Sequence, residues 1–174
     1  MKNILAIIFI CIALSTFAQT SVNISTTVPS IALMDIAPNN TAFNLNIVAP
    51  TEAGSIVTIN PTNSTKWINF SSAVVTGTTR KITAQLSGTL PVGLNLKLIV
   101  SNFAGIGSGT TGTSSGTLFL SGTAQIIINS IGGAFTGDGS GNGYNLNYSL
   151  EIADYSLLKS QTSTFSIIYT MSDN

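Results

Sequence analysis

Apolar and polar residues alternate one by one along several stretches of this chain, and this period of two is the pattern that most limits its fold. The longest examples are residues 144–152, 94–100 and 165–171, with shorter ones at 22–24, 43–47, 82–86 and 124–128. Side chains two residues apart on a β-strand point to the same face, so each stretch predicts a strand with one buried and one wet face. No window shows the i, i+3, i+4, i+7 apolar spacing of an amphipathic helix. The sequence therefore predicts an all-β fold.

Turn-forming residues separate these predicted strands. Proline, glycine and asparagine occur at 29–30, 38–40, 60–63, 76–77, 90–93 and 132–133, and these residue types favour turns. We expect about nine to eleven short strands, folded as one antiparallel β-sandwich over residues 20–174. Because no charged or proline-rich linker divides that stretch, we expect a single domain.

Residues 1–19 have the three parts of a secretory signal peptide. Lys2 supplies a positive charge, residues 4–14 form an apolar run, and small residues surround a candidate cleavage site at Ala18-Gln19. The apolar run is too short to span a bilayer core of about 30 Å, so we expect no transmembrane segment in the mature chain. The single cysteine, Cys11, leaves with the signal, and a secreted chain without disulfides favours a bacterial envelope. We therefore predict a secreted protein, at the cell surface or in the periplasm of a Gram-negative bacterium.

The composition of the chain excludes several classes of function. Charged residues make up only 7% of it, with six basic and six acidic side chains and no histidine, against about 25% in an ordinary domain. Small polar residues take their place: 22 Ser, 23 Thr and 16 Asn. Nucleic-acid binding needs clustered Lys and Arg, so we expect no nucleic-acid partner.

Three short motifs imitate catalytic or metal sites, and each lacks part of the required chemistry. The run 156–159 (SLLK) has the Ser-x-x-Lys spacing of penicillin-binding proteins, but it lies between predicted strands and not on a helix. Residues 138–143 (DGSGNG) begin like an EF-hand calcium loop, but Ser149 stands where that loop needs a bidentate glutamate. Glu151 and Asp154 are the closest carboxylate pair, and we expect Asp154 to begin a turn. We therefore predict that the chain is not an enzyme and holds no metal or cofactor.

Two glycine-rich stretches, 104–116 and 132–143, contain almost no core residues. We interpret them as mobile connections between strands, and the alternative is that they carry a binding function.

The only tryptophan, Trp67, lies in the short aromatic run 66–70 (KWINF). We expect Trp67 to fill the core, as large aromatic residues commonly do. The alternative is that Trp67 and Phe70 are exposed and contact a glycan or another ligand, together with other aromatic residues such as Phe135 and Tyr144.

Both ends of the predicted mature chain resemble a known family. Residues 22–33 (VNISTTVPSIAL) resemble the N-terminal segment of pilus subunits in the colonisation-factor class of chaperone–usher fimbriae. Residues 164–170 (TFSIIYT) resemble the last strand of secreted fimbrial-type sandwiches of Gram-negative bacteria, and the end of the signal peptide is similar to those common in Bacteroidetes. The resemblance implies an Ig-like, fimbrial-type sandwich without a catalytic site.

The resemblance also implies a mechanism of assembly. In such a family the N-terminal strand of one subunit fills a hydrophobic groove in the next, which here implies inserting side chains at Val22, Ile24 and Val28. The partners would be copies of the chain or other envelope proteins. Two alternatives stay open: the same segment is the first strand of a self-sufficient fold, or the protein is a carbohydrate- or other ligand-binding module that takes glycans as partners.

Overall fold

Thirteen β-strands and one short 3-10 turn make up the regular structure of residues 18–59 and 62–174, the residues that the computed structural model describes. No helix in this part of the chain is long and apolar enough to cross a bilayer. Most of the predicted signal peptide, residues 1–17, lies outside the described residues. The strands are β1 (Ile31–Ala37), β2 (Ile47–Val48), β3 (Thr58–Ile59), β4 (Asn63–Ala73), β5 (Arg80–Ser87), β6 (Leu94–Val100), β7 (Ser108–Gly109), β8 (Thr113–Ser114), β9 (Thr117–Leu120), β10 (Gln125–Ile131), β11 (Ala134–Phe135), β12 (Tyr144–Ile152) and β13 (Ser166–Asp173), with the 3-10 turn at Tyr155–Leu157.

All strand pairs are antiparallel, and they form two main sheets. The larger sheet has the order β7-β11-β4-β12-β6-β9, with β1 paired to the other side of β4. The smaller sheet has the order β13-β5-β10-β8, and β2 pairs with β3 in a separate ribbon. This arrangement confirms the predicted all-β, antiparallel, sandwich-like fold. The described residues contain more strands than predicted because five of the thirteen are only two residues long.

The core forms where the alternating faces of the two sheets meet. Strand β6 buries Leu94, Leu96, Leu98 and Val100 while its intervening side chains face outward. From the opposite sheet, β5 contributes Ile82, Ala84 and Leu86 to the same hydrophobic cluster. The period of two in the sequence thus places one face of each central strand in a shared apolar interior.

The glycine-rich stretches 104–116 and 132–143, which we interpreted as mobile connections, are hydrogen-bonded to each other and to the larger sheet, and they include the two-residue strands β7, β8 and β11. Asn142 links them, since its Oδ1 accepts from the Ile106 amide at 3.1 Å and its Nδ2 donates to the Asp138 carbonyl at 2.6 Å. A Cβ on Gly143, whose φ is +80°, would meet the Ile68 carbonyl of β4. Glycine is therefore needed for close packing here as well as for the turn.

Candidate functional site

The chain before β1 is exposed along the whole length that the structure describes. Residues 18–30, here called the N-terminal arm, form no strand, and every one of them is exposed. Val22 is 82%, Ile24 88% and Val28 77% exposed. Of the segment 22–33, only Ile31–Leu33 belong to the first strand, β1, so the alternative that this segment is the first strand holds for its last three residues and not for the arm. Its alternating apolar side chains are not buried against any described residue of the same chain.

Strand β13 forms one edge of the smaller sheet. Its residues pair one to one with β5, from Ser166 opposite Ser87 to Asp173 opposite Arg80, and β5 is its only partner among the described strands. The other side of β13 therefore presents a row of main-chain N–H and C=O groups. Such a row is a template for pairing with another extended segment.

The inward side chains of β13 are only half-buried. They are Phe165, just before the strand, and Ile167, Tyr169 and Met171 on it, and all four pack against the edge of the core cluster. The inward side chains of the neighbouring central strand β5 are fully buried. The apolar interior is thus incompletely covered along the edge formed by β13.

Strand β1 borders the same side of the sandwich, at the edge of the larger sheet. It pairs with β4 and lies near β13. Its inward side chains Met34 and Ile36 are half-buried and pack against the core, like those of β13. The two edge strands together frame a strip of partly covered apolar side chains, here called the apolar strip. Its members are Phe165, Ile167, Tyr169 and Met171 at β13 and Met34 and Ile36 on β1.

At the base of this strip, the Tyr169 hydroxyl is hydrogen-bonded to the hydroxyl of Tyr148 on β12. The two hydroxyl groups lie 2.5 Å apart, and the Phe43 ring packs 5.0 Å from that of Tyr148. Burial raises the pKa of Tyr148 to about 12, and it raises the pKa of Tyr169 as well, so both phenols are neutral at physiological pH. The strip therefore carries no charge at its centre, which suits apolar insertion.

Arg80 closes one end of the strip. Its guanidinium donates to Asp173 Oδ1 at 2.9 Å, to the Ala73 carbonyl at 3.2 Å, to the Ile31 carbonyl, and to Ser30 Oγ at 2.7 Å. One buried cation thus joins the end of β13, the end of β4 and the start of β1. Ser30, the last residue of the N-terminal arm, is thereby bonded to the folded body.

The two predicted ligand-contact residues, Trp67 and Phe70, lie on opposite faces of β4. Phe70 is buried in the core, where its ring stacks on that of Tyr144 at 6.2 Å. Trp67 is half-buried on the outer face, opposite Ala37 of β1 and Asn145 of β12. The alternative of a joint contact surface is thus corrected, because residues three apart on a strand point in opposite directions. The expectation that Trp67 fills the core is wrong for the same reason.

The motifs considered for chemistry also have structural partners. Asp154 accepts from the amide of Ser156 at 2.9 Å and from its hydroxyl at 2.7 Å, so it begins a turn as predicted. Both side-chain atoms of Asn142 are hydrogen-bonded within the glycine-rich loops. Across residues 18–59 and 62–174, no three acidic or cysteine side chains are grouped so that they could hold a metal ion.

The sequence pattern indicated the apolar residues of the arm, but it did not indicate the strip of half-buried side chains between β13 and β1. The alternation at 165–171 predicted a strand correctly, but nothing in it distinguishes an edge strand from a central one. An outward isoleucine does not supply the signal either, because the central strand β10 carries Ile126, which is 44% exposed, as the edge strand β13 carries Ile168.

No family model matches this chain, and no curated protein or solved structure matches it in sequence or fold.

Proposed function

We propose that this chain is a secreted structural or adhesive protein of a Gram-negative bacterium, and that its copies assemble by strand addition. The N-terminal arm of one copy pairs with the free edge of β13 in the next copy. The side chains Val22, Ile24 and Val28 then cover the apolar strip between β13 and β1. A subunit of this kind needs no catalytic residues, because its function is the assembly itself.

The observation that carries the proposal is the match between the arm and the edge. Val22, Ile24, Thr26 and Val28 occupy four alternate positions, and so do Phe165, Ile167, Tyr169 and Met171. At about 3.3 Å per residue, each set spans about 20 Å. The donor therefore offers one side chain for each half-buried side chain of the acceptor.

The energy of insertion comes mainly from burial of the arm. Burying an exposed valine or isoleucine side chain contributes about 1.5–3 kcal/mol, and Val22, Ile24 and Val28 are all exposed in the isolated chain. Main-chain hydrogen bonds to β13 add about 0.5–1.5 kcal/mol each. Association and ordering of the arm cost several kcal/mol, so the loss of one apolar side chain is expected to prevent assembly.

The donor side is tested by placing one charge on either face of the arm. We expect Ile24→Asp to abolish assembly of the secreted protein, because the carboxylate would have to enter the apolar strip. The matched control is Ser25→Asp, which adds the same charge one residue away, on the face that points outward. Light scattering coupled to size-exclusion chromatography measures the mass of each variant over a range of concentrations.

Three results would contradict the donor side of the proposal. The first is a wild-type protein that stays monomeric at millimolar concentration. The second is an assembly that Ile24→Asp leaves intact. The third is an equal loss of assembly in both variants, since a general effect of charge would then explain the loss.

The acceptor side is tested by the neighbouring isoleucines of β13. Ile167 faces the strip and Ile168 faces outward, so Ile167→Asp should prevent assembly and Ile168→Asp should not. A synthetic peptide of residues 20–30 provides a second measurement that does not depend on folding of a variant. We expect it to bind wild-type protein and to dissociate the assembly, whereas the same peptide with aspartate at position 24 should do neither.

The carbohydrate-binding alternative gains no support from the placement of the aromatic residues. It predicted a row of exposed aromatic side chains. Instead, Phe70 and Tyr144 are buried, Phe103 packs against the core cluster, and Trp67 is half-buried. Phe135 alone among these five is exposed by about half, at 49%.

A further inference from the structure

The two long sides of the sandwich are joined in different ways. On one side, here called the closed side, residues 115–116 alone connect β8 of the smaller sheet to β9 of the larger sheet. The Ser115 amide donates to the Ile127 carbonyl of β10 at 2.9 Å. The Gly116 carbonyl accepts from the Val100 amide of β6, also at 2.9 Å. On the other side, the open side, the edges are β13 and β1, which are far apart in the sequence and border the apolar strip.

Arg80 is the side chain that ties the two edges of the open side together. It is the first inward residue of β5, and it is only 6% exposed. Its Nε donates to Asp173 of β13 at 2.9 Å, and its Nη1 donates to the Ile31 carbonyl of β1. No other side chain of residues 18–59 and 62–174 hydrogen-bonds to both edge strands.

Each edge strand is held in its own sheet without Arg80. Strand β13 pairs with β5 over all eight of its residues, and the Asn174 amide that follows donates to the Thr79 carbonyl at 2.9 Å. Strand β1 pairs with β4 over all seven of its residues. What Arg80 fixes is therefore the position of β13 relative to β1 at this end of the apolar strip.

The same guanidinium also holds the root of the N-terminal arm. Its Nη2 donates to Ser30 Oγ at 2.7 Å, and Pro29 alone separates Ser30 from Val28. An arginine presents its donors as a rigid planar fork, which a lysine ammonium does not reproduce. One side chain thus fixes both the end of the acceptor and the start of the donor.

We infer that Arg80 is a positioning residue for strand addition, an inference that rests on the proposed function. It holds β13 and β1 at one separation before the donor arrives, so the incoming strand does not have to order them. Without this tie the strip would still be apolar, but its two edges could move relative to each other. Part of the binding free energy would then be lost in fixing them.

The test measures binding of a labelled peptide of residues 20–30 to Ile24→Asp protein, the parent, whose own arm is disabled. Fluorescence anisotropy gives the affinity. We expect Arg80→Met in this background to weaken binding by about tenfold or more, and Arg80→Lys nearly as much, because lysine keeps the charge but not the fork. The matched control is Lys81→Met, which removes a positive charge from the outward face of β5 and should bind as the parent does.

A second pair of variants covers the case in which an Arg80 variant does not fold. The Asp173 side chain is 73% exposed, so replacing it leaves the core intact. Asp173→Ala removes the anchor of β13 and should weaken peptide binding by about threefold or more. Asp173→Asn keeps an oxygen acceptor at the same place and should bind within about twofold of the parent.

A loss of stability is separated from a loss of position by Leu120→Ala. Leu120 is buried on β9, at the closed side, so this variant should unfold at lower urea concentration and yet bind the peptide as the parent does. The inference is overturned if Arg80→Met binds as the parent does, or if Leu120→Ala weakens binding as much as Arg80→Met. Where Arg80→Met does not fold, unchanged binding by Asp173→Ala overturns it. The proposed strand addition survives each of these results, but it is overturned, and this inference with it, if the parent itself does not bind the peptide.

Discussion

Strand β6 and the N-terminal arm carry the same alternation of apolar side chains, but they have different surroundings. Strand β6 lies between β12 and β9 and faces the smaller sheet, and its four inward side chains are at most 8% exposed. The arm lies beside no strand of its own chain, and Val22, Ile24 and Val28 are at least 77% exposed. An alternating sequence thus specifies the ability to form a strand, whereas burial depends on whether a neighbour is present.

The comparison bears directly on how the molecule would assemble. The apolar residues of β6 contribute to stability within one chain, because their burial occurs on folding. Under the proposed strand addition, those of the arm contribute when a second molecule provides the surface. We therefore expect mutations in the two regions to affect different quantities, the free energy of unfolding for β6 and the affinity of association for the arm.

The largest effect is expected from removing a central side chain. Leu98 is completely buried, so Leu98→Ala should lower the free energy of unfolding by about 2–5 kcal/mol through lost burial and the cavity left behind. Val28→Ala in the arm should change it by less than about 0.5 kcal/mol. Urea denaturation of both variants, each made in the Ile24→Asp background that keeps the chain monomeric, measures both. A large loss in Val28→Ala would show that the arm already packs on its own chain.

The second prediction concerns the contact between the core and the edge strand, where Tyr148 of β12 meets Tyr169 of β13. Burial holds the pKa of Tyr148 at about 12, against 10.0 for an ordinary phenol, and raises that of Tyr169. Below pH 10 both phenols are protonated in the folded and the unfolded chain, and stability is complete. Between pH 10 and about 12 the unfolded chain releases these protons before the folded chain does, so stability should fall by about 2–3 kcal/mol for Tyr148 alone by pH 12.

Chemical denaturation at pH values from 8 to 12 measures this dependence. Tyr148→Phe and Tyr169→Phe should each flatten the alkaline decline, because each removes one group whose pKa differs between the two states. Tyr155→Phe is the control, since that side chain is about half exposed. An alkaline decline that Tyr155→Phe flattens equally would show that the Tyr148–Tyr169 contact is not its source.

The central fold was predictable from the sequence because burial and alternation coincide there. The stretches 94–100 and 144–152 were both predicted as strands, and they pair with each other in the structure. The packing of the glycine-rich stretches was not predictable, because it depends on close main-chain contacts at residues such as Gly143 and not on side-chain pattern. Composition suggested mobility where geometry provides hydrogen bonds.

The candidate sites were predictable only in part. The apolar alternation of the arm indicated the donor, but no local pattern shows that β13 has a free edge, because strand order is set by contacts far apart in sequence.

The smallest effect is expected at Ser30, where the arm meets the first residue of β1. Its hydroxyl accepts from Arg80 Nη2 at 2.7 Å and donates to the Ala73 carbonyl at 3.3 Å. Ser30→Ala should therefore lower the free energy of unfolding by about 0.5–1.5 kcal/mol, which is typical of a lost hydrogen bond near the surface. Ser25→Ala, five residues earlier in the arm, should cause no measurable change, because the described structure gives its hydroxyl no partner. If urea denaturation shows that Ser25→Ala lowers the free energy of unfolding as much as Ser30→Ala does, the folded body extends beyond Ser30 into the arm. The free part of the arm is then shorter than the span that β13 requires.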